Sequence, residues 1–238
     1  MANPFVTLDP QLCISCGLCK DVCVLVLEGE KKAIEDSACL ACGQCMAICP
    51  THALFMKGGY DMDEVLEYDS ASFGLEPDQL LNSIKYRRSI RRYLPRPVER
   101  EKLEQIIEAG RYTPSASNVQ NVRYIIVEKE IALLESIGLP AYNQDSLFYG
   151  APALILAVSP DDMNATLATM SMELMAEALG LGTLYVRMFT KVANKDAFLR
   201  EKYNLQEQEN FVTCLAVGYP AVQYRRTVPR KKAKITWS

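Results

Sequence analysis

From Pro77 onward the apolar residues fall at three- and four-residue steps. Leu80, Leu81 and Ile84 follow Asp78, which predicts an amphipathic helix beginning near Pro77. Pro95 and Pro97 interrupt the pattern. It resumes over residues 98–111 through Leu103, Ile106 and Ile107, with Gly110 expected to close this second helix. Residues 123–127, 153–158 and 211–217 are apolar runs too short for helices and rich in branched side chains, so each predicts a strand. The stretch 163–181 is long enough for a helix, and its Ala, Met and Leu content predicts burial on most sides. Helices and strands together make an α+β layer.

Upstream of this region the pattern is set by cysteine. Cys13, Cys16, Cys19 and Cys23 form one C-x2-C-x2-C-x3-C run, and Cys39, Cys42, Cys45 and Cys49 form a second, followed by Pro50. Three thiolates two residues apart can wrap one iron-sulfur cube, and the fourth then points toward a different centre. The spacing therefore assigns Cys13, Cys16, Cys19 and Cys49 to one 4Fe-4S cluster, and Cys39, Cys42, Cys45 and Cys23 to another. Disulfides would suit a secreted chain, but no apolar leader precedes Pro10. Structural zinc would want two C-x2-C pairs and would leave the third cysteine of each run surplus. Val24 follows Cys23 where Pro50 follows Cys49, a difference that changes local backbone and no ligand. This segment resembles the two-cluster bacterial ferredoxins over about residues 5–57. Between the runs, residues 25–32 read as a short hairpin, and residues 53–56 as a closing strand. His52, the one histidine, is expected at the surface or in packing, and Cys214 as a buried inert thiol in a strand.

The cysteines divide the chain of 238 residues in two, since eight of nine precede Pro50. A module this small leans on its metal for stability. The expected organisation is a cluster domain over 1–57, an acidic linker over 58–76 and a larger domain over 77–238. Residues 58–74 carry Asp61, Asp63, Glu64, Glu67 and Asp69 with no Lys or Arg, the composition of a solvated connector. Charge is split likewise. Residues 1–75 carry four Lys against eleven Asp or Glu, net −7, which leaves +4 for the rest of a chain of net −3. That complementarity could dock the two parts or steer a redox protein, or serve solubility alone. No apolar run is long enough for a membrane span, and free thiols with clusters point to the cytoplasm. The negative net charge argues against nucleic acid.

The second chemical feature is the segment 86–93, where Arg87, Arg88, Arg91 and Arg92 surround Ser89. Guanidinium forks with a hydroxyl suit a phosphate. Three further stretches follow in order: Thr-Pro-Ser-Ala-Ser-Asn-Val-Gln at 113–120, Ala-Leu-Gly-Leu-Gly-Thr-Leu-Tyr at 178–185, and Val-Gly-Tyr-Pro at 217–220 ahead of a basic tail. The ordered set resembles the nitroreductase family of FMN-dependent flavoenzymes over about residues 79–232. Gly180 and Gly182 are not a dinucleotide loop, because they end a helix and precede a strand.

That resemblance implies a central mixed sheet flanked by helices and an FMN site built from named residues. Arg87, Arg88, Ser89 and Arg91 would hold the phosphate and ribityl chain. Pro114, Ser115, Asn118 and Gln120 would lie at the flavin edge. Leu184, Tyr185, Val186 and Arg187 would pass backbone near N5, and Arg230 or Lys231 would return to the phosphate. It further implies a homodimer with the C-terminal arm wrapped on its mate. Asn121-Val122 stands where Pro-Trp is frequent in the family, which alters the expected pocket shape.

Flavin and clusters on one chain suggest a wire: donor, two clusters, FMN, then a small-molecule acceptor such as a nitroaromatic or quinone. A redox protein or NAD(P)H would supply electrons. No side-chain catalytic set is expected, because the chemistry belongs to the cofactor. The alternative is an electron-transfer module that serves a protein partner and reduces nitro compounds incidentally.

Overall fold

A computed structural model of the chain describes residues 5–23, 39–138 and 146–238. They fall into two compact units, one within Met1–Gly74 together with Ala116–Val119, the other within Leu75–Ser115 and Gln120–Ser238.

In the first unit, β1 (Val6–Leu8) pairs antiparallel with β2 (Leu54–Met56), Val6 opposite Met56. The expected closing strand is thus present, and the sequence pattern had not marked its partner. Each cysteine run ends in a single helical turn, α1 (Leu18–Asp21) and α2 (Gln44–Ala47). The two runs share one backbone path. Ser15 (φ 55°) and Gly17 (φ 84°) are left-handed in the first, and Ala41 (φ 51°) and Gly43 (φ 72°) in the second. Both glycines have open space where a Cβ would stand, so their role is the turn and not close packing. Val6, Ala41, Leu54 and Met56 make a small core, against which Cys19, Cys39, Cys45 and Cys49 pack. The predicted hairpin at 25–32 lies outside the described residues. Residues 58–74 are not featureless: a 3-10 turn spans Met62–Glu64, and α3 (Ser70–Phe73) is capped by the Asp69 carboxylate.

The second unit runs α4 (Pro77–Tyr86), α5 (Arg100–Arg111), β3 (Arg123–Val127), α6 (Ile131–Gly138), β4 (Ala153–Ser159), α7 (Asp162–Ala178), β5 (Gly182–Tyr185), α8 (Arg187–Ala193), α9 (Ala197–Lys202) and β6 (Asn210–Gly218). The sheet order is β3-β4-β6-β5 with every strand pair antiparallel; a parallel pairing occurs at the isolated bridge Ser89–Thr183. All seven residues of β4 are buried, as a central strand covered on both faces requires. Leu103, Ile106 and Met172 from α5 and α7 cover Ile155 and Leu215 on one face. Leu134, Phe148, Phe189 and Leu199 cover Leu154, Leu156 and Phe211 on the other.

Two expectations about helices change. α5 runs one residue beyond Gly110, whose absent Cβ would stand 2.9 Å from both Met172 Cγ and Tyr124 Oη, so this glycine permits close approach to α7 and does not end the helix. α7 is buried along Ala165, Ala168, Met172 and Ala176 as expected, but one side stays uncovered: Met163, Leu167 and Met170 form an open stripe, 69, 43 and 37% exposed.

Candidate cofactor sites

The thiols of the first unit sort into two neighbourhoods. Burial raises the Cys19 thiol, and the like-charged neighbours that raise it further are Cys16, Cys13 and Cys49. Burial pushes Cys45 up to about 11, with Cys39, Cys42 and Cys23 as its neighbours. Each neighbourhood holds three members of one run and the fourth of the other. Cys49 differs: burial would raise it, but amides of Thr51, Ala53 and Leu54 and the Thr51 hydroxyl bring it below the ordinary thiol value. The Ala53 N–H donates to Cys49 Sγ at 3.3 Å, and the Ala41 N–H to Cys39 Sγ at 3.4 Å. Such donors stabilise sulfur that carries negative charge, as a cluster ligand does. Among the described residues no three His, Cys, Asp or Glu side chains converge on a point fit for one ion.

Within the same unit the segment 116–118 makes a 3-10 turn with left-handed Ser117 (φ 49°) and Asn118 (φ 54°). Asn118 Nδ2 donates to the carbonyls of Ala41 at 2.8 Å and Leu40 at 3.4 Å. Its amide donors are therefore used on the second cysteine loop. His52 is exposed, left-handed, and 3.5 Å from the Glu67 carboxylate.

In the second unit the arginine segment leaves the end of α4 and lies along β5. Ser89 bridges Thr183, and the Ile90 N–H donates to the Thr183 carbonyl at 2.8 Å. Glycine makes this approach possible. Gly182 faces Gly218 across β5 and β6; a Cβ at Gly182 would come within 2.3 Å of Ile90 Cγ1, and one at Gly218 within 2.9 Å of Tyr93 Cδ1. The chain after β6 returns to the same segment. Tyr93 bridges Pro220, the Ala221 N–H donates to the Arg92 carbonyl, and Arg88 lies 5.7 Å over the Tyr224 ring.

The cations of the segment are not equivalent. Arg87 Nη1 donates to Glu173 Oε1 at 2.8 Å, with side chains 22 and 3% exposed. Thr183 Oγ1 donates to the same oxygen at 3.2 Å. Among the described residues Arg88, Arg91 and Arg92 have no carboxylate in ion-pair range, and Arg91 and Arg92 are exposed. Phosphate charge would thus fall on Arg88 and Arg91 with the Ser89 hydroxyl, while Arg87 arrives already neutralised. Glu173 and the glycine pair were missed in the sequence reading. Glu173 and Glu177 inside an otherwise apolar helix were the available signal, since a buried carboxylate asks for a cation.

The turn 184–187 follows directly. Leu184 and Val186 are buried, and the Val186 N–H donates to the Cys214 carbonyl at 2.8 Å, so this turn can offer a ligand mainly backbone and the flanking side chains. Tyr185, Val186 and Arg187 line a cavity of about 600 Å³. Ser115 Oγ accepts from the Gln120 N–H at 2.9 Å, and Gln120 is left-handed (φ 47°); Pro114 is exposed. Asn121 Oδ1 accepts from Asn164 Nδ2 at 2.9 Å and so ties the approach to β3 to α7. Arg230 and Lys231 are exposed in the tail, and Cys214 is buried as expected.

The profile of the nitroreductase family matches residues 84–219, more than half of the chain. The chain belongs to the nitroreductase family. A 4Fe-4S dicluster domain profile matches residues 5–51 of this nitroreductase-family chain. An inferred NADH dehydrogenase/NAD(P)H nitroreductase of Archaeoglobus fulgidus is 28% identical over 153 residues, 60% of this chain and 86% of that protein. Among solved structures, a nitroreductase with bound FMN from Bacteroides fragilis superposes with a TM-score of 0.59 at 21% identity, covering 66% of this chain and 98% of its own. One with bound FMN from Desulfitobacterium hafniense gives 0.58 at 23% identity, over 66 and 97%. At these identities the solved structures establish the fold.

Proposed function

We propose that this nitroreductase-family chain is an FMN-dependent oxidoreductase that draws electrons through two 4Fe-4S clusters and passes them to a small organic acceptor of nitroaromatic or quinone type. The observation that carries the reading is the sorting of eight thiols into two crossed sets on the same chain as an arginine-serine segment laid on β5.

The residues fit the two groups chemically. Cys13, Cys16, Cys19 and Cys49 would hold one cluster, and Cys39, Cys42, Cys45 and Cys23 the other. Thiols held protonated by burial must release protons on ligation, so metal uptake and folding of this unit are coupled. Arg88, Ser89 and Arg91 would bind the FMN phosphate, with Arg230 or Lys231 returning from the tail. Arg87 would contribute hydrogen bonds from a fixed position, its charge being met by Glu173. When bound, the clusters would supply single electrons and the flavin would exchange one or two with the acceptor. The chain's own part would be to hold the flavin and to orient the acceptor against it. The open stripe Met163, Leu167 and Met170 on α7 supports a homodimer, since an apolar helix face of this kind asks for a partner.

Anaerobic purification followed by metal, sulfide and flavin analysis tests the composition. The reading expects about eight irons per chain, equimolar FMN, and reduction of a nitroaromatic when a low-potential donor is added. A chain that folds with zinc, or binds no flavin at saturating FMN, would overturn it.

A further inference from the structure

The cavity beside the turn 184–187 has a charge pattern that bears on its ligand. One wall is a face of α8, with Arg187 and Lys191 one helical turn apart and Asn194 a turn further. The first turns of α7, with Asp162 and Thr166, and β6 from Asn210 to Cys214 complete the lining. The shape is fixed. Asn194 donates to the Phe211 carbonyl at 3.1 Å and accepts from its N–H at 2.7 Å, closing the strand edge as a paired residue would. Thr190 Oγ1 donates to the Arg187 carbonyl at 3.0 Å.

Among the described residues neither Arg187 nor Lys191 has a carboxylate in ion-pair range, and the one acid on the lining is Asp162. Two cations and one anion thus line a space of about 600 Å³, a size suited to a small organic molecule.

We propose that the reactant entering this cavity carries an anionic group, a carboxylate or a phosphate, seated between Arg187 and Lys191. The inference rests on the proposed flavin reading of the 184–187 turn for the claim that the ligand is a reactant. The two sources of the anion are a carboxylated acceptor and the phosphates of a nicotinamide nucleotide.

The test compares para-nitrobenzoate with para-nitrobenzyl alcohol, similar rings that differ in charge. Binding to the full, cofactor-loaded chain is measured by calorimetry, independently of turnover, for wild type, Lys191→Gln and Arg187→Gln/Lys191→Gln. Wild type should prefer the carboxylate about tenfold, the scale of one charge-assisted hydrogen bond. The preference should shrink in the single variant and approach parity in the double. If the carboxylate preference is absent but calorimetric binding of NADP+ weakens about tenfold in the double variant, the anion is nucleotide phosphate and the proposal stands. Equal binding of both rings together with an unchanged NADP+ affinity overturns it. Flavin absorbance of the same samples separates the two failures. A flavin-replete chain without charge preference removes this inference alone. A chain that keeps the preference without flavin retains the anion site and removes the flavin reading.

Discussion

Arg87 is the one cation of its segment that the fold has already spent, and removing it should cost stability before it costs flavin. Arg87→Met leaves the Glu173 carboxylate, 3% exposed, with hydroxyl donors only, Thr183 at 3.2 Å and the Tyr185 side chain. Breaking a buried pair from one side costs about 3 kcal/mol or more, because the remaining charge stays desolvated. For a chain of this length that corresponds to about 10 °C in Tm. Arg87→Met/Glu173→Met removes both charges at similar volume and should recover most of the loss. Arg91→Ala, at an exposed position without a carboxylate partner, should leave the flavin-free Tm within about 2 °C while weakening FMN binding. Thermal unfolding by far-UV circular dichroism, run with and without saturating FMN, separates these effects, since ligand binding adds its own stabilisation. An Arg87→Met protein within about 1 kcal/mol of wild type, or a double variant worse than the single one, would refute the argument.

Three other outcomes follow from the same geometry. Gly182→Ala drives a methyl into Ile90 Cγ1 at 2.3 Å, so it should lower stability by about 2 kcal/mol and release FMN, checked by unfolding and flavin titration. Burial raises the Glu177 carboxyl above its ordinary 4.5, against the lowering effect of Arg87 and with Glu173 raising it further. Its stabilising share is then present in acid and lost as pH rises through the raised value, so Glu177→Gln should gain Tm over wild type progressively from acid to neutral pH. Glu177 Oε2 is buried without a hydrogen-bond partner; Asn82, Ser83, Tyr86 and Thr227 beside it carry no charge, and the Arg87 charge that acts on it is already met by Glu173. Cys49→Ser should lose the cluster of Cys13, Cys16 and Cys19, and Cys23→Ser the other; paramagnetic resonance of the reduced proteins should show two different surviving signals, and identical survivors would contradict the crossed ligand sets.

Much of this was legible because the signals were local. Cysteine spacing fixes loop geometry, and the repeat of left-handed positions at Ser15 and Gly17 and at Ala41 and Gly43 follows from it. β3, β4 and β6 were visible as apolar runs, and α4 and α5 as periodic ones. What stayed hidden was contact between distant segments. Gly110 resembles a helix end until Met172 and Tyr124 are placed beside it. Gly182 and Gly218 resemble loop glycines until register sets them opposite one another under Ile90 and Tyr93. Glu173 gave no hint of which arginine it holds, because pairing across 86 positions leaves no period in the sequence. The α7 stripe shows the limit of composition: a helix rich in Met and Leu need not have every side covered by its own chain.

The central claim is the direction of electron entry, and anaerobic single-turnover mixing tests it most directly. The oxidised full-length protein is mixed with a reduced low-potential donor protein or with NADPH, and cluster and flavin absorbance are followed separately. The account predicts that the donor bleaches the clusters first and that flavin absorbance then falls at a rate independent of donor concentration. Flavin reduced at once by NADPH, with clusters that stay oxidised or follow behind, would contradict it.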